Sequence, residues 1–470
     1  MRNRLLDCGA RIAFGLLIFA VLATAILLRP SKWLSDFDQS FYLTIAYDLV
    51  HHGVFSNGVF DDVNSTAAAP PPGMFFGPVY PWLIVAATKI DPRFARAVDC
   101  SVEANHKIRD GGECEVYVLP MHLMHAALLA LGALAVALAA EVIFASGAVF
   151  WLTGVLATLA LLPDADLFAF VMTESVTFAL YGFAALALVL ALRKPHRWRL
   201  LAAGGLFGLL CLTRPSFVVL APVAAALIGI NGRWLSRTPW RPIAGQVLAF
   251  AVAWLVVVGP WIVRNGVAVG KWGLTEEYGS AALIERFAYD DMTAREFALA
   301  FPYCLPEIGQ PMIDWAFGPE AMARFVYYSP RSFFHVGRAH RDRLVEAHGR
   351  LDPLIGGLIR AEMRERWWRY LLTSVPLGWC GMWVGGLIGL ALVPLFVCAA
   401  VTTLRRSQPF FLLYAVPALV MLALHAAVAN EYTRYNLILI GPFAAGAAWM
   451  IVQMAERLHR RRMDSRQRAA

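Results

Sequence analysis

The sequence predicts an all-α polytopic membrane protein, a bundle of about ten transmembrane helices carrying two large outer loops that contain interfacial helices. Three observations lead there. Hydrophobic residues make up 59% of the 470 and charged residues 16%, where soluble domains hold about 45–50% apolar and about 25% charged residues. The apolar residues run in uninterrupted blocks, and the mean hydropathy of +0.58 comes from them. The 41 Lys and Arg outnumber the 33 Asp and Glu, for a net charge of +8, and they gather in short segments between blocks, as the positive-inside rule requires. A soluble enzyme, a nucleic-acid binder and a disulfide-scaffold toxin are excluded together.

Residues 12–28 form the first span, too long for the apolar core of a secretory leader and followed by Arg29-Pro30 without a small-residue cleavage site. Further blocks able to cross about 30 Å of hydrocarbon lie at 118–143, 148–162, 168–192, 243–263, 375–404, 410–427 and 437–454. Charge resolves the remaining stretch, 200–230. Arg2, Arg4 and Arg11 place the N-terminus in the cytoplasm, and the basic run 193–199 returns there after four spans. The basic loop 233–241 returns there too, so the stretch between crosses twice. About 30 residues at 1.5 Å each allow two short helices, and Pro215 ends the first at an outer tip, Thr213-Arg214-Pro215. Arg405-Arg406 and the tail 457–468 fall inside again. The chain 1–470 thus reads as a single integral membrane domain with both termini cytoplasmic.

Two segments remain outside, 30–117 and 266–372. The cytoplasmic loops are too short to hold a nucleotide-binding unit of more than about 100 residues, so chemistry belongs to the outer face or the bilayer. The stretches 37–52 and 360–372 are amphipathic, and their apolar faces, with Trp367-Trp368, suit an interfacial position. No internal repeat and no matched pair of Gly/Pro-broken spans is visible, which counts against a secondary transporter.

Of the seven cysteines, Cys8 is cytoplasmic, and Cys211, Cys380 and Cys398 lie in spans as small buried hydrophobes. Cys100 and Cys114 share an oxidising outer loop, where they either pair or remain thiols. Cys304 is left over. No CxxC or HExxH spacing marks a zinc site. His51-His52 and His122/His125 read as solvated or packed side chains, no cofactor is assigned, and a divalent-metal requirement stays open.

Asp38 starts a helix that carries Tyr42, Ile45 and Leu49 on its face, while Asp36 fits the cap. As a first-turn acid alone, Asp38 would contribute only about 0.3–1 kcal/mol through the helix dipole. Glu174 falls about two turns inside the fourth span, where a carboxylate costs about 2–3 kcal/mol or more unless it is paired or lines a wet cavity. Arg214 tips the hairpin, Arg264 follows Pro260-Trp261 at the exit of the seventh span, and Arg434 lies in the 431–435 turn before the last span. One such arginine would be a snorkelling anchor. Three, with two carboxylates, make a site for a phosphate-bearing ligand held by guanidinium forks beside a base that removes a proton.

Asp38-Gln39-Ser40-Phe41-Tyr42, followed by Ala46, Leu49 and Gly53-Val54-Phe55, resembles the first outer loop of GT-C membrane glycosyltransferases of the protein O-mannosyltransferase and aminoarabinose transferase type. The likeness continues in order through Gly77-Pro78-Val79-Tyr80-Pro81, Thr173-Glu174, Leu212-Thr213-Arg214-Pro215, Pro260-Trp261-Ile262-Val263-Arg264-Asn265 and Arg434-Tyr435. It implies a polyprenyl-phosphate sugar donor, transfer at the outer face, and Asp38 as base. Where the aminoarabinose transferases carry Lys-Pro-Pro, this chain has Phe76-Gly77-Pro78, so neither a lysine contact to the donor phosphate nor a lipid A acceptor carries over.

The expected site is therefore Asp38 and Glu174 for catalysis, with Tyr42, Tyr80, Arg214, Arg264 and Arg434 for substrate binding. The expected partners are a polyprenyl-phosphate sugar, membrane lipid, and a protein, glycolipid or polysaccharide acceptor, with no nucleic acid. A transporter or flippase for a lipid-linked anion is the alternative, using the same arginines without the base. A non-catalytic membrane assembly factor is a third reading.

Overall fold

The computed structural model describes residues 2–30, 34, 38–58, 68–104, 114–429 and 433–469. Among them the chain is helical and has no strand. In order, the helices are α1 (Arg2–Leu27), α2 (Gln39–His51), α3 (Val79–Ile90), α4 (Pro92–Glu103), α5 (Leu119–Phe144), α6 (Gly147–Leu161), α7 (Ala165–Phe168), α8 (Glu174–Arg193), α9 (Arg197–Thr213) and α10 (Leu220–Ile230). They continue with α11 (Trp240–Ala268), α12 (Tyr278–Phe287), α13 (Ala294–Tyr303), α14 (Gly309–Phe317), α15 (Phe333–His348), α16 (Asp352–Met382), α17 (Gly389–Arg405), α18 (Phe410–Val428) and α19 (Ile440–Ala469).

Nine helical segments among the described residues are long and apolar enough to cross a membrane, so this is a multi-pass membrane protein. The tenth member of the expected series, α9, has 17 residues and begins on charged Arg197 and Arg199. The expected hairpin is present: α9 ends at Thr213, Arg214 is extended (φ −139°, ψ 112°), and Pro215 opens a 3-10 turn leading into α10.

Three expectations are corrected. The block 168–192 is not one helix, because the chain leaves α7 at Phe168, makes a non-helical turn over 169–173 and starts α8 at Glu174. The block 375–404 is interrupted: α16 stops at Met382, Gly385 and Gly386 take left-handed φ angles of 84° and 57°, and α17 starts at Gly389. Thirty residues of straight helix would run about 45 Å, more than one crossing needs. Finally, α2 is no interfacial helix. Nine of its 13 residues, from Gln39 to Asp48, are buried, so its body packs against protein and only its end, at Val50 and His51, is exposed. The other amphipathic stretch, 360–372, lies within α16, is kinked at Arg366, and does leave Trp367, Trp368, Leu371 and Leu372 exposed.

The chain divides into two compact units. The first comprises residues 1–132, 162–187 and 194–278. Its core joins α2, α3 and α4 through Leu43, Ile45, Tyr80, Ile84 and Phe94, with Val171, Leu212 and Trp261 packed into the same cluster. Gly77 lies so close to the hairpin that a Cβ there would stand 2.1 Å from Leu212 O, which explains a glycine before Pro78. Cys100 and Cys114 are bonded to each other.

The second unit comprises residues 133–161, 188–193 and 279–470. It has its own core of Tyr289, Phe325, Phe333, Leu377 and Ala426. The fully buried Arg286 anchors it, donating to Asp290 Oδ1, the carbonyls of Tyr370 and Ala426, and the hydroxyls of Thr373 and Ser374. Cys304 is not left over but bonded to Cys380. The reason is that the 375–382 stretch belongs to α16 and packs against α13, where Trp379 also donates to Phe301 O.

Candidate active site

Asp38 occupies the N-cap position of α2. Asp36, expected as the cap, lies outside the described residues. The Asp38 carboxylate makes no capping hydrogen bond and is half-buried. One turn on, Tyr42 is packed between Phe76 and Tyr80, with ring centroids 4.9 and 5.1 Å away. Burial pushes the Tyr42 phenol well above its ordinary pKa; Asp38 and Tyr278 push it further, Arg214 opposes this, and Glu174 adds to it. One hydroxyl therefore feels both expected carboxylates and the hairpin arginine. It stays protonated at neutral pH and can donate. Burial, then Glu174 and Tyr42, raise the Tyr80 phenol in the same way.

Glu174 Oε1 lies 3.8 Å from Arg214 Nη1, with side chains 5% and 16% exposed. Arg214 is itself the extended residue between α9 and the Pro215 turn, and that backbone aims its side chain there. Removing one partner of such a buried pair strands the other charge at a cost of about 3–5 kcal/mol. Glu174 is not two turns inside a span, as its place in an apolar block indicates, but is the first residue of α8. There the helix dipole favours a carboxylate.

The turn before it is held by side chains from elsewhere. Gln39 Oε1 accepts from Val171 N (3.0 Å), His122 Nε2 donates to Ala169 O (2.9 Å) and His125 Nδ1 donates to Phe168 O (2.9 Å). Since a carbonyl only accepts, neutral His125 carries its proton on Nδ1, and its Nε2 accepts from the Tyr80 hydroxyl at 2.9 Å. These two histidines are packed, as expected, but their partners were not legible. The available signal is that His122 and His125 stand three residues apart on one face of the otherwise apolar first half of α5.

Arg264 has structural partners that the sequence does not indicate. Its Nη2 donates to Phe55 O (2.8 Å), its Nη1 donates to Gly73 O and to Asn265 Oδ1, and its guanidinium stacks over Trp261. It staples segments 55–58 and 73–75 to the end of α11, helped by Asn57, whose Oδ1 accepts from Met74 N and Phe75 N. Arg264 also lines an apolar groove of about 790 Å³, with Leu49, Trp82, Leu212, Val257 and Trp261. Arg434 belongs to the second unit, in the 3-10 turn Thr433–Leu439, where Nη2 donates to the Tyr435 hydroxyl at 3.3 Å. The Glu431-Tyr432 part of its motif lies outside the described residues. No group of three or more His, Cys, Asp or Glu among the described residues is placed to hold a metal ion.

No protein-family profile matches the chain, and no curated protein matches it. Among solved structures it is similar to the Archaeoglobus fulgidus oligosaccharyltransferase in its apo form, at 14% identity and a TM-score of 0.45, over 96% of this chain and 52% of that one. It is also similar to the archaeal oligosaccharyltransferase AglB from Archaeoglobus fulgidus in complex with an inhibitory peptide and a dolichol-phosphate, at 13% identity and a TM-score of 0.48, with the same coverage. This chain spans about half the length of those proteins. At such scores the likeness assigns it no activity.

Proposed function

We propose that this protein is a glycosyltransferase of GT-C type that moves a sugar from a polyprenyl-phosphate donor to an acceptor hydroxyl at the outer face of the membrane. The observation that carries this reading is the convergence of Asp38, Tyr42, Glu174 and Arg214, from three separate parts of the chain, around one buried hydroxyl. Asp38 takes the proton of the acceptor hydroxyl, whose oxygen attacks the anomeric carbon. The bond from that carbon to the phosphate oxygen breaks, and Arg214 stabilises the charge that grows on the departing phosphate. A single displacement inverts the anomeric centre. Glu174 holds Arg214 in place, and the Tyr42 hydroxyl donates to substrate oxygen.

The apolar groove beside the hairpin suits an isoprenoid chain. Arg264, with its two carbonyl bonds, shapes the wall of that groove instead of gripping phosphate. The two disulfides, Cys100–Cys114 within the first long loop and Cys304–Cys380 between the second long loop and the end of α16, support a placement of both loops on the oxidising side, with both termini in the cytoplasm. An outer-face enzyme has no access to cytoplasmic nucleotide sugars, so a lipid-carried sugar is the donor class that fits.

Arg214→Lys tests the phosphate contact. A point charge replaces a planar fork, and losing one charge-assisted bond should weaken binding of radiolabelled polyprenyl phosphate about tenfold. Unchanged affinity, with the protein folded, would remove Arg214 from the donor site.

A further inference from the structure

The turn 169–173 runs through the interior of the first unit, where backbone N–H and C=O groups need partners. A continuous helix from 168 to 192 would have satisfied those groups from within, and the apolar sequence there permits one. Instead, three side chains hold the turn and the end of α7 that leads into it: Gln39 on Val171 N, His122 on Ala169 O and His125 on Phe168 O, the last residue of α7. Gln39, His122, His125 and Tyr80, which backs His125, are 1%, 7%, 0% and 0% exposed. Burying such groups costs free energy unless each is bonded, so this is an expensive way to make a connection. What it achieves is local. The turn ends on Glu174, moving that carboxylate from mid-helix to a helix N-terminus beside Arg214. The first of the three, Gln39, directly follows Asp38.

We propose that Gln39, His122 and His125 are positioning residues, a clamp on the 169–173 turn that fixes Glu174 against Arg214 and ties it to the chain segment bearing the base. This rests on the transferase reading above. His122 and His125 act as neutral hydrogen-bond donors to carbonyls and not as acids. Gln39 acts through its carbonyl oxygen. Because Glu174 holds Arg214, which grips the donor phosphate, the clamp should set turnover and donor affinity together.

The test uses the full-length protein in nanodiscs, with polyprenyl-phosphate mannose, glucose and arabinose tried in turn, reading release of polyprenyl phosphate in the presence of a crude envelope extract. His122→Leu should lower kcat by about 10- to 100-fold, the scale of a misplacement near 1 Å, and weaken binding of radiolabelled polyprenyl phosphate as Arg214 loses its register. His122→Gln, whose amide N–H can reach the same carbonyl, should recover most of that loss. In a Glu174→Gln background, His122→Leu should cost nothing further, because the residue it positions is already disabled. An equal loss in both backgrounds would show a histidine that merely supports the fold, and would overturn the proposal.

Hydrogen exchange separates this from the fate of the functional reading. Gln39→Leu should speed exchange of the Val171 amide at least about tenfold, the effect of losing roughly 1.4 kcal/mol of protection. Unchanged protection overturns the clamp whatever the activity. Faster exchange together with normal transfer by Glu174→Gln would keep the clamp's geometry but refute its catalytic purpose.

Discussion

Replacing both Cys304 and Cys380 by serine opens a loop of 76 residues. In the chain-entropy account a closure of that size removes about 15 cal/mol/K from the opened state, or about 4.5 kcal/mol at 25 °C. The 14-residue separation of Cys100 and Cys114 gives about 3 kcal/mol on the same basis. The longer bond ties α13 to α16 over the core of Tyr289, Phe325 and Phe333. Its loss should therefore favour opening of α13, α14 and α15 by on the order of 10³-fold, with a tenth of that effect for the shorter bond in its own loop. Hydrogen exchange on the protein in nanodiscs reads this directly, comparing the most protected amides of 294–348 before and after substitution. Rates that change less than about threefold would refute the reasoning. Non-reducing peptide maps give a parallel check, since alkylation of the denatured, unreduced protein should mark Cys8, Cys211 and Cys398 only.

Gly77→Ala would set a Cβ 2.1 Å from Leu212 O, a backbone atom that cannot rotate away. Thermal unfolding should show a loss of about 1–3 kcal/mol, with transfer falling as the loop lifts from the Arg214 hairpin, whereas Gly279→Ala, which meets nothing within 4 Å, should change neither. The Asp48 carboxyl is raised by burial, against which the Ser56 hydroxyl bond works. Since its folded pKa lies above the unfolded one, its contribution is fully present below the unfolded value and is lost as pH rises through the folded value. Stability measured from about pH 4 upward should thus decline through that window in the wild type and flatten in Asp48→Asn; parallel curves would contradict this.

The fold was largely legible because long apolar blocks report directly on where the chain can cross a membrane. The Arg214 hairpin, inferred from charge bookkeeping and one proline, has the expected bounds. Hydropathy failed where polar side chains reached in from elsewhere. Nothing within 168–192 indicates that Gln39, His122 and His125 hold its first residues out of a helix, so hydropathy places Glu174 deeper than the first residue of α8. Cys380 was likewise assigned to a span because its neighbours are apolar, although α16 carries it alongside α13. Within the site, Asp38, Tyr42, Glu174 and Arg214 come together. The bonds of Arg264 to the Phe55 and Gly73 carbonyls are not legible, because sequence shows a charge but not the backbone it meets.

Sugar transfer by Asp38→Asn tests the central claim most directly. Asparagine keeps the shape and can accept a hydrogen bond but cannot take a proton at neutral pH. Release of polyprenyl phosphate from the sugar donor should fall by at least about 100-fold, the usual effect of losing a general base, while radiolabelled polyprenyl phosphate binds as it does to the wild type. Near-normal transfer by the variant would contradict the account.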